Sequence, residues 1–247
     1  MKSKIVILII CIGWGFISCA HKSGHGDKSV SRVNVSTEVT TEKKALKSKP
    51  EITIDDNKGD KLDGADIFKK YNSAVFMVFT SDGMNSYQGS GFFIDSEGLA
   101  VSNYHVFKGT SIGAERIKLS GSNEYYQVTE VIQSSESEDF ILFRVNCPNT
   151  NFIPVAKGKP SIGEKVFAIG SPRGLENTFS SGEVSQWRDK NLMQISALID
   201  HGSSGGALIN EYGQVVGITS GSFYDGSQAN LNYAWSIDVV KPYCSLK

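Results

Sequence analysis

The chain has 247 residues, 40% of them hydrophobic, and sets 25 Lys and Arg against 26 Asp and Glu for a formal net charge of −1. That length suffices for one large all-β domain or two small ones, each with a buried core. The balanced charge excludes the basic surface that neutralises phosphates, so no nucleic-acid partner is expected.

The N-terminal string "MKSKIVILIICIGWGFIS" places Lys2 and Lys4 ahead of an apolar run and ends on Ser18, just before Cys19. A short apolar run followed at once by polar sequence is a secretory signal pattern rather than a spanning helix. Its end, "FISC", is similar to a bacterial lipobox, with Phe16 in place of the usual leucine. Residues 1–18 therefore read as a lipoprotein-type signal peptide. Cys19 is then the lipidated residue that holds an exported chain on a membrane of the bacterial cell envelope, since each buried methylene contributes about 0.8 kcal/mol. A plain cleaved signal and an uncleaved anchor are the alternatives. Residues 19–63 are rich in Lys, Ser, Thr, Asp and Glu and poor in large apolar side chains. Such a stretch buries too little to offset its conformational entropy, and a flexible tether is expected. His21 and His25, within "CAHKSGHG", read as solvated, so no metal site is expected.

Residues 64–247 carry the folded domain. In "GADIFKKYNSAVFMVFT" a short helix with Ile67, Phe68 and Tyr71 on one side leads into a strand. Many short apolar or alternating runs follow, among them "GSGFFID", "GLAVSNYHVF", "RIKLSG", "DFILFRVN", "KVFAIGS", "LMQISAL", "GQVVGITSG" and "NYAWSI", separated by Gly, Ser, Asn and Asp. Regular strands with turn residues between them specify an all-β barrel or sandwich. "DVVKPYCSLK" adds one short terminal helix. Cys147 and Cys244, the cysteines outside the leader, either pair or stay free; the spacing does not choose.

Near the end, "IDHGSSGGALINEYGQVVGI" holds Ser203 and Ser204 among glycines. A serine hydroxyl becomes a nucleophile only with a base in reach, a carboxylate to orient that base, and N–H donors for the oxyanion. The domain has two histidines. His201 lies three residues before Ser204 and is too constrained locally to be the base, whereas His105 ends the strand "GLAVSNYHVF". In "SESEDFILFRV", Asp139 stands at the threshold of a strand that can bury it, while Glu136 and Glu138 read as solvated. Gly202, Gly205 and Gly206 permit the tight turn in which amides converge.

The order His105, Asp139, Ser204 is that of chymotrypsin-like proteases, and the strings around these residues resemble the bacterial HtrA/DegP branch. "GSGFFIDSEGLAVSNYHV" is similar to that branch's histidine segment, Asp139-Phe140-Ile141-Leu142 to its acid strand, "VFAIGSPRGLENTFSSGEVS" to its "AxGxPxGxxxxxxxGxVS" segment, and "GSSGGAL" to its "GNSGGAL". The resemblance covers roughly Ile67 to Tyr243. It implies two orthogonal six-stranded β-barrels with the site between them and Ser204 as nucleophile, with Ser203 at the family's asparagine position. His105 is then general base and acid, and Asp139 fixes its tautomer. The loop Gly202, Ser203, Ser204 becomes the oxyanion hole, with the Gly202 and Ser204 amides as donors. It implies no metal or organic cofactor, takes unfolded or exported polypeptides as substrates, and leaves a homotrimer open. Family members commonly add PDZ domains and a long sensor loop. Here "QWRDKNLM" is short and few residues follow the closing helix, so a chain without a PDZ domain, active without a peptide effector, is expected. The pocket for the residue before the scissile bond is assigned to Leu198, Thr219, Ser220, Gly221 and Trp235, with Leu198 at its base and small or medium apolar residues as its preference. The alternatives are a protease-fold chaperone or binding module with little turnover, and an esterase; the latter is disfavoured because no G-x-S-x-G elbow is present.

Overall fold

The computed structural model describes residues 48–56, 58–110, 113–147, 151–223 and 231–246. The leader, Cys19, His21, His25 and most of the tether lie outside the described residues. Two two-residue strands, β1 (Glu51–Ile52) and β2 (Ile54–Asp55), precede helix α1 (Gly64–Tyr71). The Asp63 side chain caps α1 by accepting from the Asp66 N–H at 2.9 Å, as an N-terminal carboxylate should. Its apolar stripe sinks Ile67 and Tyr71 to 0% and 3% exposure, as the helical spacing requires.

The first barrel comprises β3 (Val75–Ser81), β4 (Ser86–Phe93), β5 (Leu99–Ser102), then, after a one-turn helix α2 (Tyr104–Phe107), β6 (Arg116–Leu119), β7 (Tyr125–Ser135) and β8 (Phe140–Val145). The strands close in the order β3-β4-β5-β8-β7-β6, with β6 returning to β3 in antiparallel register. After β9 (Val155–Ala156) come β10 (Lys165–Gly170), β11 (Thr178–Trp187), β12 (Leu192–Ile195), β13 (Ala207–Asn210), β14 (Val215–Phe223) and β15 (Leu231–Ser236). These run β13-β10-β11-β12-β15-β14, and the β13–β14 pairing closes a second six-stranded barrel. The expected terminal helix is two 3₁₀ turns, Ile237–Val239 and Lys241–Tyr243. Pro242 lacks the N–H that an α-helix would need there. A last strand, β16 (Ser245–Leu246), follows.

Strings such as "VFMVF" and "FILF" are apolar at consecutive positions because both faces of these strands are covered. Phe76, Val78, Phe93, Ala100 and Phe143 fill the first barrel. Their neighbours Val75, Phe92, Leu99, Val101, Phe140 and Leu142 join Ile169, Ala207, Ile209 and Ile218 of the second barrel in a layer between the two. Asn177 ties the same junction: in the left-handed region at φ 39°, it donates from Nδ2 to the carbonyls of Asn72 and Val75. Phe92 is fully buried in that layer. Phe92→Ala is therefore expected to cost about 3–5 kcal/mol in urea unfolding, and a loss below about 1 kcal/mol would show the layer to be dispensable.

The flexible tether needs correcting at its end. β1 pairs in parallel with β16, β2 pairs in parallel with β9, and Ile52 is 1% exposed in the inter-barrel core. The short "EITID" alternation gains partners from remote parts of the chain and becomes sheet. Cys147 and Cys244 are both buried, one inside the first barrel and the other in the inter-barrel layer. No disulfide joins them, and burial pushes the Cys244 thiol up to about 11.

Candidate active site

β5 stops at Ser102, so His105 stands on the one-turn helix α2 rather than at the end of the strand. Val106 and Phe107 turn into the barrel core, and the Thr80 hydroxyl donates to the Val106 carbonyl at 2.8 Å, which fixes the turn. The imidazole is left on the outside, 46% exposed. Asp139, immediately before β8, sits in the left-handed region at φ 43°, which Asp and Asn tolerate better than most residues. Asn103 Nδ2 donates to its carbonyl at 2.8 Å. The carboxylate accepts from the His105 N–H (3.0 Å, Oδ1) and from the Ser220 hydroxyl (2.7 Å, Oδ2). Held by these donors, it lies 2.8 Å from His105 Nδ1 through Oδ2. The Nδ1–H tautomer satisfies that contact and leaves the Nε2 lone pair free.

Ser204 lies in the loop between β12 and β13, and the first barrel holds that loop. Ser90, in the "GSG" of β4, donates its N–H to the Ser204 carbonyl (2.8 Å) and its hydroxyl to the Gly202 carbonyl (2.7 Å). Gly202 and Gly205 both have positive φ, 94° and 88°. A Cβ on Gly205 would meet the Ser90 carbonyl oxygen at 2.1 Å, so no larger residue fits there. The Ser203 N–H is engaged by the Asp200 carbonyl at 2.9 Å, so within the loop Gly202, Ser203, Ser204 it is not a free donor, in keeping with the assignment of the Gly202 and Ser204 amides to that role. Neither the Gly202 nor the Ser204 N–H donates to a protein acceptor among the described residues. No hydrogen bond joins His105 Nε2 to Ser204 Oγ among the described residues, while Ser204 Oγ is 3.6 Å from where a Cβ on Gly221 would stand.

The loop has a second clamp on its other side. The Arg173 N–H, at φ 52° in the β10–β11 turn, donates to the His201 carbonyl at 2.8 Å. In a trans peptide the carbonyl and the following N–H point in opposite directions, so this bond sets where the Gly202 N–H aims. Arg173 Nε also meets Asp200 Oδ2 at 2.8 Å. The His201 N–H first, and the Arg173 guanidinium second, hold the Asp200 carboxyl below its ordinary range. A depressed folded-state pKa stabilises above the unfolded carboxylate range and loses its effect as pH falls through the folded value. The His201 amide resonance is therefore expected to titrate with a midpoint below about 3.9, and Asp200→Asn to abolish that transition; a midpoint above it would refute the clamp.

A cavity of about 820 Å³ opens between this loop and β10–β11. Of the side chains expected to line the specificity pocket, Leu198 and Thr219 do so. Leu198, however, is 66% exposed at the mouth rather than at the base. Ser220 is bonded to Asp139, Gly221 lies beside Ser204, and Trp235 is not part of the lining. The strand alternation of β15 turns Asn232 and Ala234 inward, and Asn232, 1% exposed, lines the cavity in company with Thr219. Sequence reasoning missed Ser90, Asn103, Arg173 and Asn232. The period-two pattern of "LNYAWS" was a readable signal for the last of them; the others act through backbone contacts that leave no pattern.

Residues 89–218 match the family model described as a trypsin-like peptidase domain. Protease Do-like 1, chloroplastic, of Arabidopsis thaliana is 32% identical over 178 residues, which is 66% of this chain and 39% of that protein. Serine protease HTRA1A of Danio rerio is 32% identical over 180 residues, covering 63% of this chain and 36% of its own length. The chain thus spans about two fifths of the length of the curated relatives it matches. The crystal structure of the serine endoprotease from Yersinia pestis is similar in fold, with a TM-score of 0.66 at 24% identity, over 74% of this chain and 66% of that one.

Proposed function

The chain belongs to the trypsin-like peptidase family, with HtrA and Do-like relatives, and from that premise we propose that it is a serine endopeptidase in which Ser204, His105 and Asp139 do the chemistry. The observation that carries the reading is the doubly oriented carboxylate of Asp139 against His105 Nδ1, beside a serine loop with two unengaged amides. Ser204 Oγ attacks the scissile carbonyl while its proton passes to His105 Nε2, and the Gly202 and Ser204 N–H groups receive the oxyanion. The imidazolium then gives that proton to the leaving amine, which departs as the acyl-enzyme forms. Water, deprotonated by the same Nε2, releases the acid and returns the hydroxyl to Ser204. Contacts between base and nucleophile commonly tighten only around bound substrate, which accounts for the open link between them here. The test is digestion of an unfolded protein by the chain beside its Ser204→Ala variant, with fragments identified by mass spectrometry. Fragments from the parent alone support the reading; intact substrate with both favours the binding module instead.

Export and lipidation at Cys19 are part of the same proposal. They rest on the leader string alone. Labelled palmitate should enter the chain in bacterial cells and fail to enter Cys19→Ser; equal labelling of both would refute the anchor.

A further inference from the structure

The floor of the cavity beside the serine loop carries a buried polar atom that no contact among the described residues satisfies. Asn232 is 1% exposed, yet its side-chain nitrogen has no hydrogen-bond partner. Ser203, 7% exposed, lines the same cavity, and its hydroxyl makes no hydrogen bond among the described residues. Thr219, between them, uses its hydroxyl proton on the Ser203 carbonyl at 2.7 Å. Burying a carboxamide without a partner is costly, and a natural fold keeps such a group where something else completes it.

We infer that this cavity receives the side chain on the acyl side of the scissile bond and that it selects a carboxamide, glutamine or asparagine, with Asn232 as the specificity-determining residue. This rests on the endopeptidase reading above. A substrate carboxamide offers both a carbonyl oxygen and an N–H₂, so it can pair with the Asn232 amide whichever way that amide is turned. The Ser203 hydroxyl can serve the remaining donor or acceptor. An aliphatic side chain would fill the space and leave the Asn232 Nδ2 buried without a partner, the situation in which a polar site rejects an apolar analogue most strongly. Among the described residues that line the cavity, a carboxylate finds only the His201 imidazole beside the Arg173 guanidinium, which Asp200 engages at 2.8 Å, and the Arg173–Asp200 pair lies toward solvent. A lysine or arginine would meet, among the described lining residues, only the Asp200 carboxylate, which Arg173 already engages. Leu198, at the mouth, packs against the methylene stem of either amide. This departs from the small or medium apolar preference expected with Leu198 at the pocket base, and the difference traces to Asn232, the first residue of the string "NYAWSI".

The test separates this inference from the endopeptidase reading by measuring binding without turnover. Fluorescent decapeptides differing only at the residue before the scissile bond, Gln, Asn, Glu, Leu or Lys, are titrated against the full chain carrying Ser204→Ala. The Gln or Asn peptide is expected to bind roughly ten- to hundredfold tighter than the Leu peptide, and Asn232→Leu in the same background is expected to erase that difference. Should Asn232→Leu fail to fold, the ranking with Asn232 intact still decides. Tightest binding of the Leu, Glu or Lys peptide, equal binding of all five, or no binding of any would overturn the inference. The same peptides offered to the chain with Ser204 intact then test the chemistry: a carboxamide ranking without cleavage removes the protease reading alone, and cleavage with an apolar ranking removes the pocket alone.

Discussion

Ser204→Ala is expected to lower kcat by about a millionfold, to the level at which the oxyanion donors and substrate binding act without a nucleophile. The variant should keep its fold. Ser204 is tied down through its carbonyl to the Ser90 N–H, and Gly205 and Gly206 beside it are fixed by backbone bonds to Thr219 and Ser203, none of which involves the hydroxyl. An unchanged urea midpoint together with lost cleavage is therefore the expected pair of results. Residual activity within about tenfold of the parent would mean that the hydrolysis runs through another group.

The second large effect is at the acid. Asp139→Asn is expected to lower kcat by about ten-thousandfold. Both carboxylate oxygens are in use: Oδ1 takes the His105 N–H, and Oδ2 takes the Ser220 hydroxyl and the close contact with Nδ1. A carboxamide has one oxygen for these donors. Its N–H₂ would either take the place of Oδ1 and oppose the His105 N–H, or take the place of Oδ2 and face both the Ser220 hydroxyl and Nδ1, and in the second case it favours the tautomer whose Nε2 carries the proton and cannot accept one. Ser220→Ala gives a graded control. It removes one of the donors while leaving the histidine tautomer in place, so its loss should be much smaller than that of Asp139→Asn. Equal losses would mean that Ser220, and not the tautomer, sets the rate.

Much of this site was legible in the residues because catalysis needs particular side chains in a particular order, and His105, Asp139 and Ser204 have few competitors. The helix of residues 64–71 and the strand set were legible for a related reason: their periodicities follow from burying one face or two. The strands at Glu51–Ile52 and Ile54–Asp55 were not. Each is two residues long, and its partner is supplied by Ser245–Leu246 or Val155–Ala156, far along the chain. Local composition, dominated by the polar stretch around them, points the other way. Placing His105 at a strand end failed by a few residues, because β5 ends at Ser102 and the one-turn helix begins at Tyr104, with the Asn103 side chain between them donating to the Asp139 carbonyl. Trp235, assigned to the pocket, does not line the cavity, because the alternation of β15 turns Asn232 toward it instead.

The most direct test of the central claim is covalent labelling of the folded chain with a fluorophosphonate, followed by identification of the modified residue by mass spectrometry. A single adduct on Ser204 is expected, absent in Ser204→Ala and strongly slowed in His105→Ala. An adduct on a different residue, or none on a chain that remains folded, would contradict the assignment of Ser204 as a nucleophile activated by His105 and Asp139.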